Sequence, residues 1–143
     1  MNANHLLDNI NHFFQISPRD INSYSPLTLA YLGDAVFEIV VRTIIVVEKS
    51  GTVKCLHRQS SGLVNAKAQA GLISRIMNTL TEEEVSIFKR GRNAKSHSVA
   101  KNADIHDYRT ATGFEALMGY LYLKGEMERL LELIRLGLTE LSL

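Results

Sequence analysis

A chain of 143 residues with 45% hydrophobic and 22% charged residues has the length and balance of one globular domain, large enough to bury about two thirds of its unfolded surface. That balance excludes a disordered or fibrous class, and a single cysteine, Cys55, excludes an intrachain disulfide and suits a reducing, cytoplasmic setting. Net charge is only +1, but residues 89–109 hold six Lys/Arg against Asp104 and Asp107, so a neutral total conceals a basic segment.

Taken in order, residues 3–16 predict a helix with Leu6, Leu7, Ile10, Phe13 and Phe14 on one stripe, ended by Ser17-Pro18. The first thirty residues carry no basic region followed by an apolar run, so no signal peptide is expected. Ser25-Pro26 supplies an N-cap with proline at the first helical position and opens a long helix, which Ser50-Gly51 stops. Its oily stretch, residues 35–47, is cut by Glu38 and Arg42 and is too short to span a bilayer. Residues 52–59 predict a short helix. Residues 61–79 predict a longer one, with Val64, Ala68, Leu72, Ile76 and Leu80 on its apolar side and Lys67, Gln69 and Arg75 outward. Thr81 and Glu84 form a capping box for a helix running to about Gly91. From Arg92 to Asp107 apolar residues nearly vanish, and a loop of that length inside a small domain carries function more often than structure. Residues 108–124 predict a further helix broken at Gly125, and residues 126–141 a last amphipathic one with Met127, Leu130, Leu131, Ile134 and Leu138 aligned. No strand is expected. The fold class is all-α, one domain over residues 1–143.

Two helices carry an acid in oily surroundings. From residue 26 to 47 the apolar side chains cover almost the whole circumference, as in a core helix, and only Asp34, Glu38 and Arg42 break the pattern. Residues 111–121 carry Glu115 as their one charge. Small residues flank both acids, Ala30 and Gly33 at one and Ala111 and Gly119 at the other, so the two helices can cross closely there. Carboxylates brought together repel unless an oxygen-preferring divalent cation lies between them, which points to a magnesium-type site made by Asp34 and Glu115. The residues alone leave a second reading open: each acid neutralised by a core arginine or a helix N-terminus, in an all-α interaction domain. Asp34 paired with Arg42 and far from Glu115 would favour that second reading.

Tyr-Leu-Gly-Asp-Ala-Val at 31–36, followed by Phe-Glu-Ala-Leu-Met-Gly-Tyr-Leu-Tyr-Leu at 114–123, resembles the two signature helices of the ribonuclease III catalytic domain. With Lys89 to Ser96, Lys101-Asn102 and Tyr108-Arg109 between them, the pattern is similar to the compact bacterial Mini-III branch of that family, which lacks a separate double-stranded RNA-binding domain. The likeness covers a core of about residues 25–125, with helices 3–16 and 126–141 as additions. It implies a helical endonuclease fold and magnesium-dependent hydrolysis of double-stranded RNA, with manganese as a substitute metal. It also implies catalytic and metal-ligating roles for Asp34 and Glu115, a symmetric homodimer, and precursor 23S ribosomal RNA as target, with a ribosomal protein on the assembling subunit as a further partner.

The chain departs from the wider family twice: Ala30 and Thr112 stand where that family has two further acids. Glu38, one turn beyond Asp34, is either an auxiliary to the site or the partner of Arg42. The basic run reads as a solvated face or as phosphate contacts from Arg90, Arg92, Asn93, Lys95, Lys101 and Asn102. The doublet His106-Asp107 suggests a metal-dependent phosphohydrolase, but that class needs a later aspartate and Asp107 is the last in the chain. The alternative to an active nuclease is a catalytically silent module of the same fold that binds structured RNA.

Overall fold

The structure, a computed structural model, describes residues 5–95 and 104–138. Among them are α1 (His5–Phe13), α2 (Pro26–Glu48), α3 (Val53–Val64), α4 (Ala66–Ile76), α5 (Glu82–Asn93), α6 (Ile105–Leu123) and α7 (Met127–Leu138), with two 3-10 turns and no strand. The all-α expectation holds.

Local chemistry sets the ends. Ser25 accepts from the Thr28 amide at 3.2 Å ahead of Pro26, and Thr81 and Glu84 exchange both bonds of the capping box, at 2.8 and 3.1 Å. Gly125, at φ 81°, reverses the chain between α6 and α7, a conformation that costs a side-chain-bearing residue dearly. Between α3 and α4 the break falls at Asn65 rather than between residues 59 and 61. Ser60 is buried and turns its hydroxyl back onto the His57 carbonyl, so the helix runs through it. Asn65 then caps α4 by accepting from the Ala68 amide at 2.8 Å.

The helix at the centre is α6. Eleven of its residues, from Thr110 to Tyr122, are buried, because α2, α4, α5 and α7 pack around it. Glycines set how near they come. A methyl group at Gly33 would collide with the Glu115 carbonyl oxygen, and one at Gly119 with the Leu29 carbonyl oxygen. The α2–α6 crossing is therefore backbone on backbone, as the small residues beside the acids predict. Phe37 and Phe114 meet edge to face across it, with centroids 5.0 Å apart. At the other end of the bundle Arg129 binds both oxygens of buried Glu84 at 2.8 Å and the Thr79 carbonyl at 2.7 Å, joining α7 to the start of α5.

The long helix α2 departs from its expected role. It buries one face, Leu29, Ala30, Gly33, Val36, Phe37, Val41 and Ile45, and leaves Leu27, Tyr31, Ile39, Val46 and Val47 exposed. Its uniform oiliness misleads because a single chain covers half of it. The stripe of α1 departs likewise, with Phe13 78% exposed and Phe14 74%. In α7, Leu133 is buried in place of Leu131.

Candidate active site

Helices α2 and α6 bring Asp34 and Glu115 together at their crossing. Asp34 is exposed, contrary to the expectation from its oily neighbours, since it projects from α2 at the edge of the buried face. Glu115 is half-buried, and the two carboxyl groups are within hydrogen-bonding reach of each other. Burial first, then the hydrogen bond and the negative charge of Asp34, push the Glu115 carboxyl up to about 8. Among the described residues neither acid is held in an ion pair by lysine or arginine. The alternative pairing of Asp34 with Arg42 is not formed. Arg42 instead holds Glu38, with Nε and Nη2 at 3.1 and 2.6 Å from one carboxylate oxygen.

A third helix reaches the pair. Gln69 of α4 is 2% exposed rather than outward, and its Nε2 points to Glu115 Oε2 at 3.4 Å and donates to the Val64 carbonyl at 2.8 Å. Its Oε1 is buried with no hydrogen-bond partner. Reading Lys67, Gln69 and Arg75 as one outward set missed this, although Gln69, Leu72, Ile73 and Ile76 stand at the i, i+3, i+4, i+7 spacing of a buried stripe. At the two positions where further acids are lacking, Ala30 is buried and Thr112 donates its hydroxyl to the Tyr108 carbonyl at 3.0 Å. Accordingly no cluster of three or more His, Cys, Asp or Glu forms among the described residues.

Of the basic segment, Arg90, Asn93 and Lys95 are exposed at the end of α5 and just beyond it. Arg92 lies over the Phe88 ring at 5.5 Å and donates to Asn93 at 3.3 Å. Lys101 and Asn102 lie outside the described residues. A groove beside this cluster is lined by Lys67, Arg92, His106 and Asp107 over a floor that includes Ile73 and Phe88. It adjoins the first turn of α6, the helix that carries Glu115 further along.

The site is thus an acid pair at a glycine-lined helix crossing, with basic side chains beside the head of one of those helices. The ribonuclease III domain model matches residues 27–126, and the chain belongs to the ribonuclease III family. Within it, the chain is 50% identical over 123 residues to Mini-ribonuclease 3 of Clostridium tetani, covering 85% of this chain and 82% of that one. It is 52% identical over 118 residues to Mini-ribonuclease 3 of Enterococcus faecalis, covering 81% and 89%. A crystal structure of a Fusobacterium nucleatum protein superposes with a TM-score of 0.75 at 32% identity, over 85% of this chain and 97% of that one. The chain is accordingly an endoribonuclease that hydrolyses double-stranded RNA, in a family whose enzymes depend on metal. No helix among the described residues is long and apolar enough to cross a membrane.

Proposed function

We propose that Asp34 and Glu115 jointly hold a magnesium ion, which manganese can replace, and that this site cleaves one strand of an RNA duplex. The observation that carries the reading is the unpaired acid couple: two carboxyls in contact, one pushed up to about 8, with no lysine or arginine among the described residues to neutralise them. Such a couple suits a hard cation with oxygen ligands, and the buried free Oε1 of Gln69 beside it adds a polar atom that still lacks a partner. When bound, the cation supplies Lewis-acid stabilisation of the phosphodiester and acidifies water. The protein's own contribution is geometric: the glycine crossing fixes the distance between the two acids, and the α3–α4 junction fixes Gln69 against Glu115. Arg90, Arg92, Asn93 and Lys95, with Lys101 and Asn102, track the phosphates. Recognition of a duplex by shape and backbone needs no exposed base-stacking platform. Glu38 serves α2 through Arg42 rather than the metal.

The exposed apolar face supports a homodimer. Leu6, Leu32, Ile39, Tyr122, Met127 and Leu131 line one groove, with Tyr31 84% exposed on the same long helix, and a second copy of the chain is its occupant. Two copies present two acid pairs, one for each strand. The similarity to Mini-ribonucleases 3 supports a role in ribosomal RNA maturation, and we infer precursor 23S ribosomal RNA as the target, in the cytoplasm, with a ribosomal protein of the assembling subunit as helper.

Cleavage of a long RNA duplex tests the proposal. Cutting that requires magnesium, stops in chelator and is lost in Asp34→Asn is expected. A protein that binds the duplex yet cuts neither it nor a precursor ribosomal RNA would instead be the silent module.

A further inference from the structure

Gln69 is a buried polar side chain set against the acid pair, and its surroundings specify what it does there. It stands on the apolar stripe of α4 with Leu72, Ile73 and Ile76, where a leucine or methionine would pack at no polar cost. Its amide nitrogen is pinned by the Val64 carbonyl at 2.8 Å, which fixes the rotation of the amide and turns its donor edge toward Glu115 Oε2 at 3.4 Å. Its Oε1, fully enclosed, accepts nothing. Buried amides are kept where every part is used, so a half-satisfied one beside an acid pair marks a site that is completed by something else.

We propose that Gln69 is a positioning residue for the metal site: its N–H holds the Glu115 carboxylate turned toward Asp34, so that both acids face one cation. The unpartnered Oε1, buried in the metal-free fold, is then an acceptor for a water that enters with that cation, since magnesium-type ions keep several of their waters when they bind protein. This rests on the reading of Asp34 and Glu115 as metal ligands. Gln69 touches Glu115 and not the reacting atoms, so its effect appears in metal affinity before it appears in cleavage.

The test is manganese binding to the full chain without RNA, followed by the electron paramagnetic resonance of the free ion, for the unmutated protein, Asp34→Asn, Gln69→Met and Gln69→Asn. Methionine keeps the volume and removes both polar groups, while asparagine keeps the amide but withdraws it by one methylene. Both Gln69 variants are expected to keep their circular dichroism and their duplex affinity in chelator, while binding manganese at least about tenfold more weakly. Manganese affinity within about twofold of the unmutated protein, in whichever of the two variants folds, overturns the proposal while leaving the Asp34–Glu115 site intact. Loss of the fold in both also overturns it, since Gln69 would then act only as a core residue. An unmutated protein that binds no manganese, or Asp34→Asn that binds it equally, removes the metal site itself and the proposal with it.

Discussion

Replacing Glu115 by glutamine should stabilise the metal-free protein while destroying its activity, and the gain should depend on pH in a definite sense. The Glu115 carboxyl titrates at about 8 in the fold against 4.5 ordinarily, so the folded state holds its proton more tightly than the unfolded state does. An acid shifted upward contributes its full stability below about pH 4.5 and loses it as pH rises, reaching a plateau only beyond about pH 8. At pH 7 the difference spans about 2.5 units, or roughly 3 kcal/mol, a ceiling that side-chain rearrangement and water reduce to about 2 kcal/mol. Glutamine has no proton to lose and keeps the hydrogen bonds to Gln69 and Asp34. Thermal melts in chelator should therefore find Glu115→Gln equal to the unmutated protein near pH 5. Near pH 7.5 the variant should be the more stable, with Tm higher by roughly 6 °C. Millimolar magnesium should reverse the order, because only the unmutated site gains from binding. A stability difference that is the same at both pH values, or a variant that is less stable at each, would show that Glu115 does not take up its proton on folding.

Other perturbations follow from the same geometry. Gly33→Ala should cost about 3 kcal/mol or more and abolish cleavage, because the added methyl would push the Glu115 backbone away from α2; chemical denaturation and duplex cutting measure the two effects. Arg92→Ala with Lys95→Ala should weaken duplex binding about tenfold at low salt and flatten its salt dependence by roughly one to two units, measured by fluorescence anisotropy across a salt series. An unchanged slope would remove these residues from the RNA interface. If the proposed homodimer forms through the exposed face of α2, Ile39→Asp should lower the sedimenting mass to that of a monomer while leaving the helical content intact, and an unchanged mass would remove this face as the contact.

The legibility of this chain in its sequence was uneven, and the reasons are physical. Helix ends were readable where a side chain satisfies backbone groups locally, as at Ser25-Pro26 and in the Thr81–Glu84 capping box, because the signal and its cause lie within four residues. The meeting of Asp34 with Glu115 was readable too, since glycines at 33 and 119 leave no other separation for the crossing. Burial was less so. Helix α2 carries apolar residues on both faces, which sequence cannot divide between a buried and an exposed side, and Asp34 lies outside although its neighbours are oily. Gln69 was missed for the converse reason: a polar residue on an apolar stripe looks misplaced until its partners, five and 46 residues away, are known. The helix expected to end at residue 59 runs on to Val64 because Ser60 bonds backward onto the His57 carbonyl and stays helical.

Crystals of the protein soaked in manganese would show whether one divalent cation is shared by Asp34 and Glu115. Anomalous diffraction at the manganese edge should show a peak between the two carboxylates, lost in crystals of Asp34→Asn. No peak there, or a manganese ion held at Glu38 in its place, would contradict the account.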